Sequence, residues 1–516
     1  MNGAECLVRT LANNHVQVCF TNPGTSEMHF MAALDRTNAL RCVLGLQENI
    51  VTGAADGYGR MAKKPAATLL HLGPGLGNGL ANLHNANKAG TAIVNIVGDH
   101  ATYHIGYNAP LTADVEGIAR PVSHWVKTSP TAKDIAADGA EAVRQATMHP
   151  GRIATLILPA NTAWGEGTEP IKAAKLSSPP GPSQEEVEKA AQALISAENC
   201  GAIYLKGDVL HEPGLTLAGK IAAKTGAMLI SPTSNARMDR GAGRVKVMRV
   251  PYVVERALDL LSHVTHAVGI GDSEPVAFFA YPDKPSRILP ENCIVQQLTQ
   301  ENENGNRALE MLCDALDAHK AVPELAERQT NSGLPSGALD QDKIAAMVSA
   351  LLPENAIVID ESISSGRQLN WQTEGAEPHS WLSICGGAIG AGIPLAVGSA
   401  IACPDRKVVA LQADGSAMYT IQGLWTQARE SLDVTTIIYA NRAYAILQGE
   451  MKAVGIEKPG QIARDMFGLD RPDLDFVSIA KGMGVGAERV DDANDLAKAY
   501  NRGLKTPGPY LIEASI

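Results

Sequence analysis

Short apolar runs recur along the chain, and most are followed by a longer stretch with the periodicity of an amphipathic helix. Because these runs are apolar throughout, they predict strands of parallel sheets that helices cover on both faces. The predicted strands are residues 18–20, 67–70, 92–97, 154–158, 202–205, 267–270, 294–298, 356–359, 408–411 and 436–439. We therefore predict an α/β protein built from doubly wound parallel sheets.

Two loop-rich segments interrupt this pattern. Residues 177–183 and residues 330–337 are rich in serine, proline and glycine, which continue neither a helix nor a central strand. The pattern predicts three domains of ordinary size. Their expected boundaries are 1–170 for an N-terminal domain, 183–322 for a central Rossmann-like domain and 338–516 for a C-terminal domain.

Composition narrows the class of protein. The chain has 516 residues, with 55 acidic and 44 basic side chains and a net charge of −11, which argues against nucleic acid or an anionic membrane as the main partner. The eight cysteines are scattered without a C-x-x-C pair, a pattern typical of reduced thiols in a cytoplasmic protein. No signal peptide and no membrane span is expected.

One pair of polar residues indicates chemistry. Asp414 and Asn441 each follow an apolar run, and the stretch between them suits one turn, one helix and one strand. They should therefore lie together at the carboxyl edge of neighbouring parallel strands. A carboxylate, an amide oxygen and the backbone carbonyl of Ala443 are ligands that suit Mg²⁺. Gly415 and Ser416 open the intervening helix, whose first N–H groups favour a phosphate.

Features of the N-terminal region could belong to the same site. Residues 22–24, Asn-Pro-Gly, form a turn that brings backbone close to a ligand. Glu48 begins a helix lined with glycine and alanine; taken alone, it is an acid favoured by the helix dipole. His71 ends a strand, where a histidine is more often structural, although an imidazole can carry protons near neutral pH.

Together these motifs resemble the signature of thiamine-diphosphate-dependent enzymes. Nearly all of the chain is similar to the superfamily of 2-oxo acid decarboxylases and acetolactate synthases, and most of all to the benzoylformate decarboxylases. The resemblance implies pyrimidine-binding, central and diphosphate-binding domains and a Mg²⁺ ion held by Asp414, Asn441 and Ala443. The implied cofactor-binding residues are Asn22, Pro23, Gly24, Ser364, Gly387, Ile389, Gly415, Ser416 and Tyr444.

The resemblance also implies catalytic roles. Glu48 would exchange a proton with the pyrimidine ring of cofactor held by a second subunit, so we expect a homodimer or homotetramer with shared active sites. His71 would carry protons, and Thr25 stands where the relatives have serine. Their second catalytic histidine has no match here; a phenylalanine stands in that region. His104, with His100, either restores this proton relay or only caps a helix.

The expected function is non-oxidative decarboxylation of a small 2-oxo acid, with or without transfer of the product fragment to a second carbonyl compound. An acetolactate-synthase-like carboligase is the alternative, but residues 269–275 lack the arginine of the flavin segment, so no FAD is expected. Pro110 and Leu111 also replace the Phe-Gln pair of those synthases. A non-catalytic thiamine-diphosphate-binding protein is the alternative of another class.

Overall fold

The computed structural model describes residues 1–272, 274–329 and 333–516. Three sheets follow one another along the chain, each flanked by helices. Part of the predicted second linker, residues 330–332, lies outside the described residues. Ser273, within the segment compared with flavin-binding synthases, also lies outside them.

The N-terminal sheet has six parallel strands in the order β2-β1-β3-β4-β6-β5. Its strands are β1 Val18–Thr21, β2 Arg41–Leu44, β3 Ala66–Leu70, β4 Ile93–Asp99, β5 Trp125–Thr128 and β6 Ile153–Pro159. Its helices are α1 Gly3–Asn13, α2 Met28–Thr37, α3 Glu48–Ala62, α4 Leu72–Ala89, α5 Val115–Ala119, α6 Ile135–Ala146 and α7 Ala160–Trp164.

The middle region contributes strands to two sheets. They are β7 Gly201–Leu205, β8 Met228–Ser231, β9 Met238–Arg240, β10 Met248–Arg249, β11 His266–Ile270 and β12 Ile294–Thr299. Five of them form a parallel sheet in the order β10-β8-β7-β11-β12, and β9 leaves for the C-terminal sheet. The helices here are α8 Gln184–Ser196, α9 Gly214–Thr225, α10 Val254–Leu261 and α11 Gly305–Ala315.

The C-terminal sheet has the order β17-β18-β16-β15-β13-β14-β9 and is parallel except for β9, which runs antiparallel to β14. Its own strands are β13 Ile357–Glu361, β14 His379–Ser383, β15 Val408–Ala413, β16 Val434–Ala440, β17 Gly486–Val490 and β18 Tyr510–Ser515. The helices are α12 Gln341–Leu351, α13 Leu369–Gln372, α14 Gly392–Ala402, α15 Asp414–Thr420, α16 Gly423–Arg429, α17 Ala445–Ala453, α18 Gln461–Phe467, α19 Phe476–Gly482 and α20 Ala493–Lys505.

The predicted fold class is confirmed, and every predicted strand is present within a residue or two at its ends. Two local expectations differ. The single helix expected between Asp414 and Asn441 is broken into α15 and α16. The glycine-rich sequence of residues 73–78 predicts a turn, but these residues lie inside α4. The three domain boundaries stay a prediction. Within the described residues, no helix combines the length and apolar character needed to cross a membrane.

Helices α3 and α14 join the N-terminal and C-terminal sheets. A Cβ atom added to Gly57 would lie 2.3 Å from the carbonyl oxygen of Leu395, and one added to Gly398 would lie 1.9 Å from that of Ala54. Only glycine permits this approach of two helix backbones. The packing fixes Glu48, at the start of α3, relative to the glycine-rich loop that precedes α14.

Candidate active site

The proposed metal ligands lie at one edge of the C-terminal sheet. Strands β15 and β16 are parallel neighbours, with Ala413 opposite Tyr439, so Asp414 and Asn441 emerge side by side. Asp414 accepts hydrogen bonds from the N–H groups of Gly415 at 2.8 Å and Arg442 at 2.7 Å. The Asn441 amide oxygen accepts from the N–H of Ala443 at 3.0 Å.

Asp414 is only 3% exposed, and burial raises the pKa of its carboxyl. In the described part of the chain no lysine, arginine or histidine forms an ion pair with it. A divalent cation would supply the missing positive charge and stabilise the ionised form. The described residues contain no cluster of three His, Cys, Asp or Glu side chains that could hold a metal. The proposed set is of another kind, since it combines one carboxylate with an amide and a backbone carbonyl.

Two loops border this pair. Asn441 donates from its amide to the hydroxyl of Ser365 at 3.3 Å, and Ser364 precedes it on the loop after β13. The Tyr444 ring covers Gly415 so closely that an added Cβ would lie 2.3 Å from the ring. Gly415 and the buried Ser416 both lie in the first turn of α15.

The loop before α14 carries Gly387 and Ile389. Gly387 has a φ of +77°, and Gly390 has a φ of +92°, both in the region that favours glycine. The N–H of Gly390 donates to the buried carboxylate of Glu361 at 2.6 Å. Ile389, which is half-buried, therefore lies between two conformationally fixed glycines.

Helix α4 of the N-terminal region holds the other side of this loop. Asn82 donates to the carbonyl of Gly390 at 3.1 Å, and Asn85 donates to the carbonyl of Ala388 at 2.8 Å. His84 contacts the Gly386 carbonyl at 3.0 Å. Side chains from two domains thus fix the backbone on which the cofactor-binding role of Gly387 and Ile389 was predicted.

Glu48 lies at the start of α3 and is 9% exposed. Its Oε2 accepts a hydrogen bond from the amide of Asn78 at 3.0 Å. A Cβ added to Gly75 would lie 3.3 Å from Oε1, so the turn of α4 passes close to the carboxyl group. The described residues give Glu48 no ion pair, which leaves it able to bind or release a proton in a sheltered position.

His71 contacts a buried carboxylate. Its Nδ1 lies 2.9 Å from Oε2 of Glu27 and 3.1 Å from Oγ of Ser26, and Glu27 is 3% exposed. Because a carboxylate only accepts, we assign the ring proton to Nδ1, which leaves Nε2 as the atom free to exchange a proton. Only a glycine at position 24 allows the His71 ring to lie here, since a Cβ atom added to Gly24 would lie 2.1 Å from Nδ1 of His71.

The remaining predicted residues are more dispersed. Asn22 donates to the carbonyl of Gly45 at 2.8 Å, Pro23 follows it, and Thr25 begins a short 3₁₀ turn that ends at Glu27. His104 is exposed on the loop after β4, with its ring centroid 5.3 Å from that of His100. Among the residues that the structure describes, no hydrogen bond or ring contact joins His104 to His71, and His104 precedes a 3₁₀ turn without capping it through its side chain.

The structure of the single chain forms two groups. One contains Glu48 and His71, and the other contains Asp414 and Asn441. Within the residues described, no hydrogen bond or ion pair joins the two groups.

Sequence comparisons identify the family. A model described as the N-terminal TPP binding domain of thiamine pyrophosphate enzymes matches residues 1–119, and the C-terminal TPP binding domain model matches residues 366–514. A Mycobacterium tuberculosis protein named "Putative acetolactate synthase large subunit IlvX" is 47% identical over 100% of this chain and 99% of its own length. The chain belongs to the thiamine pyrophosphate enzyme family.

Other members of the family cover the whole chain as well. The benzoylformate decarboxylase of Pseudomonas aeruginosa is 28% identical over 98% of this chain and 96% of its own length. The solved structure of a thiamine-diphosphate-dependent 4-hydroxybenzoylformate decarboxylase from Rhodococcus jostii superposes with a TM-score of 0.86 at 24% identity, covering 100% of this chain and 99% of that one. That likeness confirms the fold.

The residues of this thiamine pyrophosphate enzyme fit the cofactor. A buried, uncompensated Asp414 suits a divalent cation, and that cation would bind the diphosphate beside the N-terminus of α15. The exposed Gly387 and the half-buried Ile389 are suitable for contacting the organic part of the cofactor. The Mg²⁺ ion and the assignment of individual residues stay proposals.

Sequence reasoning missed several residues that the structure brings into the site. Glu27 lies on the turn that follows Asn-Pro-Gly, and no local sequence pattern predicts its contact with His71. Asn78, which contacts Glu48, gave no signal beyond its place after a glycine-rich segment. Asn82 and Asn85 are three positions apart on α4 and buried, so a polar pair among small residues was the available signal.

Proposed function

We propose that this protein is a flavin-independent enzyme that uses thiamine diphosphate and Mg²⁺ to decarboxylate a 2-oxo acid non-oxidatively. The observation that carries the proposal is the pairing of Asp414 with Asn441 at the ends of adjacent strands, in a chain that also keeps Glu48 sheltered beside Asn78. A protein that only bound the cofactor would need the first feature and not the second.

The cofactor and the protein divide the chemistry. When bound, thiamine diphosphate supplies a carbon nucleophile for the 2-oxo group and accepts the electron pair that remains when CO₂ leaves. Asp414, Asn441 and the Ala443 carbonyl would hold the metal. The residues that would surround the diphosphate are Ser364, Gly415, Ser416 and Tyr444. Gly387 and Ile389 would orient the organic part of the cofactor.

Proton transfers fall to the N-terminal group. Glu48 would hold or release a proton at its carboxyl, kept in place by Asn78. His71 would take or give a proton at Nε2 while Glu27 fixes the ring through Nδ1. Thr25 lies between Gly24 and Ser26, which both approach the His71 ring, and would add a hydroxyl and a methyl group to this side of the site.

The relatives support a 2-oxo acid substrate without fixing which one. One relative is named a benzoylformate decarboxylase, and benzoylformate is an aromatic 2-oxo acid. The relative at 47% identity is named an acetolactate synthase, so transfer of the decarboxylated fragment to a second carbonyl compound is the second candidate. We further propose that two subunits share each site in a homodimer or homotetramer, with Glu48 of one chain serving the metal group of the other.

The test is CO₂ release from a panel of straight-chain, branched and aromatic 2-oxo acids, with thiamine diphosphate and Mg²⁺ added. Products are separated into aldehydes and 2-hydroxy ketones, and Glu48→Gln is assayed beside the unchanged protein. Release that depends on Glu48 supports the decarboxylase, and a hydroxy ketone as main product favours the carboligase. Cofactor binding with no release from any acid would contradict the proposed function.

A further inference from the structure

A carboxylate on α17 is held by two phenols from the middle region. Glu450 accepts a hydrogen bond from the hydroxyl of Tyr252 at 2.9 Å through Oε1 and from the hydroxyl of Tyr281 at 2.9 Å through Oε2. Helix α17 begins directly after Tyr444 and has no buried residue. Glu450, which is half-buried, therefore owes its position to these two tyrosines.

This carboxylate keeps capacity for a further partner. An ionised carboxyl group offers about four acceptor positions, and the two phenols occupy two of them. Burial and the neighbouring carboxylate raise the pKa of Tyr252 and Tyr281, so both phenols remain protonated donors. Across residues 1–272, 274–329 and 333–516, no lysine, arginine or histidine forms an ion pair with Glu450.

A line of aromatic rings connects Glu450 to the proposed cofactor loop. The Tyr252 ring centroid lies 5.2 Å from that of Phe278, and Cζ of Phe278 would lie 2.9 Å from a Cβ on Gly387. Phe279 meets Phe278 edge to face with centroids 4.9 Å apart. Phe278 and Phe279 are 47% and 53% exposed, so the rings form an open wall instead of a closed core.

Arg367 is the charged group on the other side of this wall. Its guanidinium lies 5.9 Å from the centroid of the Tyr252 ring, on the loop that follows β13. It therefore stacks near the phenol ring while Glu450 binds the hydroxyl. Lys284, which pairs with Glu255, lies 5.1 Å from the centroid of the Tyr281 ring. The wall is thus aromatic, with both cations beside ring faces and the Glu450 carboxylate at the phenol hydroxyls.

We propose that Glu450 is a specificity-determining residue that selects 2-oxo acids with an aromatic side chain ending in a hydrogen-bond donor. The aromatic part would lie along Phe278 and Tyr252, and the terminal hydroxyl or ammonium group would donate to Glu450. A terminal carboxylate would be repelled by the negative charge. This inference rests on the proposed function, since it takes Gly387 to lie beside the reacting atoms.

Three matched acids test the selection: phenylglyoxylate, its 4-hydroxy derivative and its 4-carboxy derivative. We expect the unchanged protein to favour the 4-hydroxy acid over phenylglyoxylate by about tenfold in kcat/KM and to disfavour the 4-carboxy acid by a similar factor, as for a hydrogen bond to a charged group. In Glu450→Leu the kcat/KM values of the three acids should agree within about threefold. Glu450→Gln should mainly raise the kcat/KM of the 4-carboxy acid.

Further variants distinguish the effect of the Glu450 carboxylate from that of the helix that carries it. Glu457→Gln makes the same chemical change on an exposed residue beyond α17 and should leave the three-acid ratios unchanged. Tyr252→Phe and Tyr281→Phe each remove one donor to Glu450 and should reduce the 4-hydroxy preference in part. If Glu450→Leu lowered activity equally for all three acids, Glu450 would have only a structural role and the proposal would be wrong.

Binding measurements distinguish this inference from the proposed function. The matching 2-hydroxy acids cannot lose CO₂ in the same way, so their affinities are measured by calorimetry without turnover. A 4-hydroxy preference in binding that Glu450→Leu abolishes supports the inference even if no acid is decarboxylated, which would then overturn the proposed reaction alone. Turnover of all three acids with equal kcat/KM would overturn the inference and leave the proposed reaction standing.

Discussion

The main-chain N–H of Arg442 donates to the Asp414 carboxylate at 2.7 Å and so ties the end of β16 to the end of β15. Together with the N–H of Gly415, it gives the carboxylate two fixed donors without neutralising its charge. The geometry orients a buried anion toward the same edge as Asn441, which is the basis of the first prediction.

Asp414→Ala should weaken Mg²⁺-dependent binding of thiamine diphosphate by at least about 100-fold, because it removes the only charged ligand of the proposed set. Isothermal calorimetry with and without EDTA measures this. Asp35→Ala, a change at an exposed position on α2, is the matched control and should bind normally. Binding by Asp414→Ala that still responded to Mg²⁺ as before would place the metal elsewhere.

Glu48→Gln should retain cofactor affinity within a few-fold and lose about 10²- to 10⁴-fold in kcat, since the amide keeps the size of the side chain but cannot transfer its proton. Affinity is measured by calorimetry and turnover by CO₂ release. Glu116→Gln, which alters a half-buried acid paired with Arg120, provides the control. Normal turnover of Glu48→Gln would exclude the assigned role.

Glu27→Gln should lower kcat/KM by about 10- to 100-fold, because Glu27 acts by fixing the proton and orientation of the His71 ring. If it acts only through His71, adding Glu27→Gln to His71→Phe should cause no further loss. The double-mutant cycle, measured on the best substrate of the panel, tests this. If the two losses in kcat/KM multiply in the double variant, Glu27 affects the reaction independently of His71.

Arg60→Ala should lower the free energy of unfolding by about 3–5 kcal/mol, because it leaves the buried carboxylate of Asp56 without its partner. The lost guanidinium also donates to the carbonyl of Ser383 at 2.7 Å, across the contact between α3 and the C-terminal sheet. Urea unfolding measures the change. Arg120→Ala breaks an exposed pair with Glu116 and should cost under about 1 kcal/mol.

Acid should destabilise the fold through His211. Burial is the main cause that lowers the pKa of His211 to about 4, and both ring nitrogens are buried with no hydrogen-bond partner among the described residues. The unfolded chain therefore binds the proton near its ordinary pKa of about 6.5 while the fold does not, and stability falls as pH drops from about 6.5 toward 4. Burial also lowers the pKa of His379, which adds to the same loss.

Unfolding midpoints in urea at pH 7.5 and 5.0 measure this effect. His211→Gln should reduce the pH dependence, since each unit of pKa difference contributes about 1.4 kcal/mol. His319→Gln, at an exposed histidine, serves as the control and should leave the dependence unchanged. A pH dependence identical in all three proteins would assign the acid sensitivity to other groups.

Strands buried on both faces could be predicted from the sequence. Every residue of β16 is buried, and its β-branched run is visible as such. Shorter or edge strands lack this signal: β10 has two residues, and β17 has only Val490 buried and carries the charged Glu488 and Arg489. Their pairing depends on neighbours brought from distant parts of the chain, and no local pattern carries that information.

The same reasoning applies to the site. Asp414 and Asn441 could be placed together because two parallel strands bring their carboxyl ends to one edge. The contact of Glu27 with His71 could not be foreseen from spacing, since it joins the turn after β1 to the end of β3. The hold of Asn82 and Asn85 on the loop before α14 likewise arises only when two sheets meet.

Strand β9 connects two regions that the linkers alone would suggest are separate. Met238–Arg240 belongs to the middle region by sequence, yet it pairs antiparallel with β14, placing Met238 opposite Trp381 and closing the border of the C-terminal sheet. A C-terminal fragment that begins after residues 330–337 would lack β9 and leave the edge of β14 unpaired, with N–H and C=O groups open to pairing with other chains. A strand from the middle region therefore completes the C-terminal sheet, so we expect the two regions to unfold together.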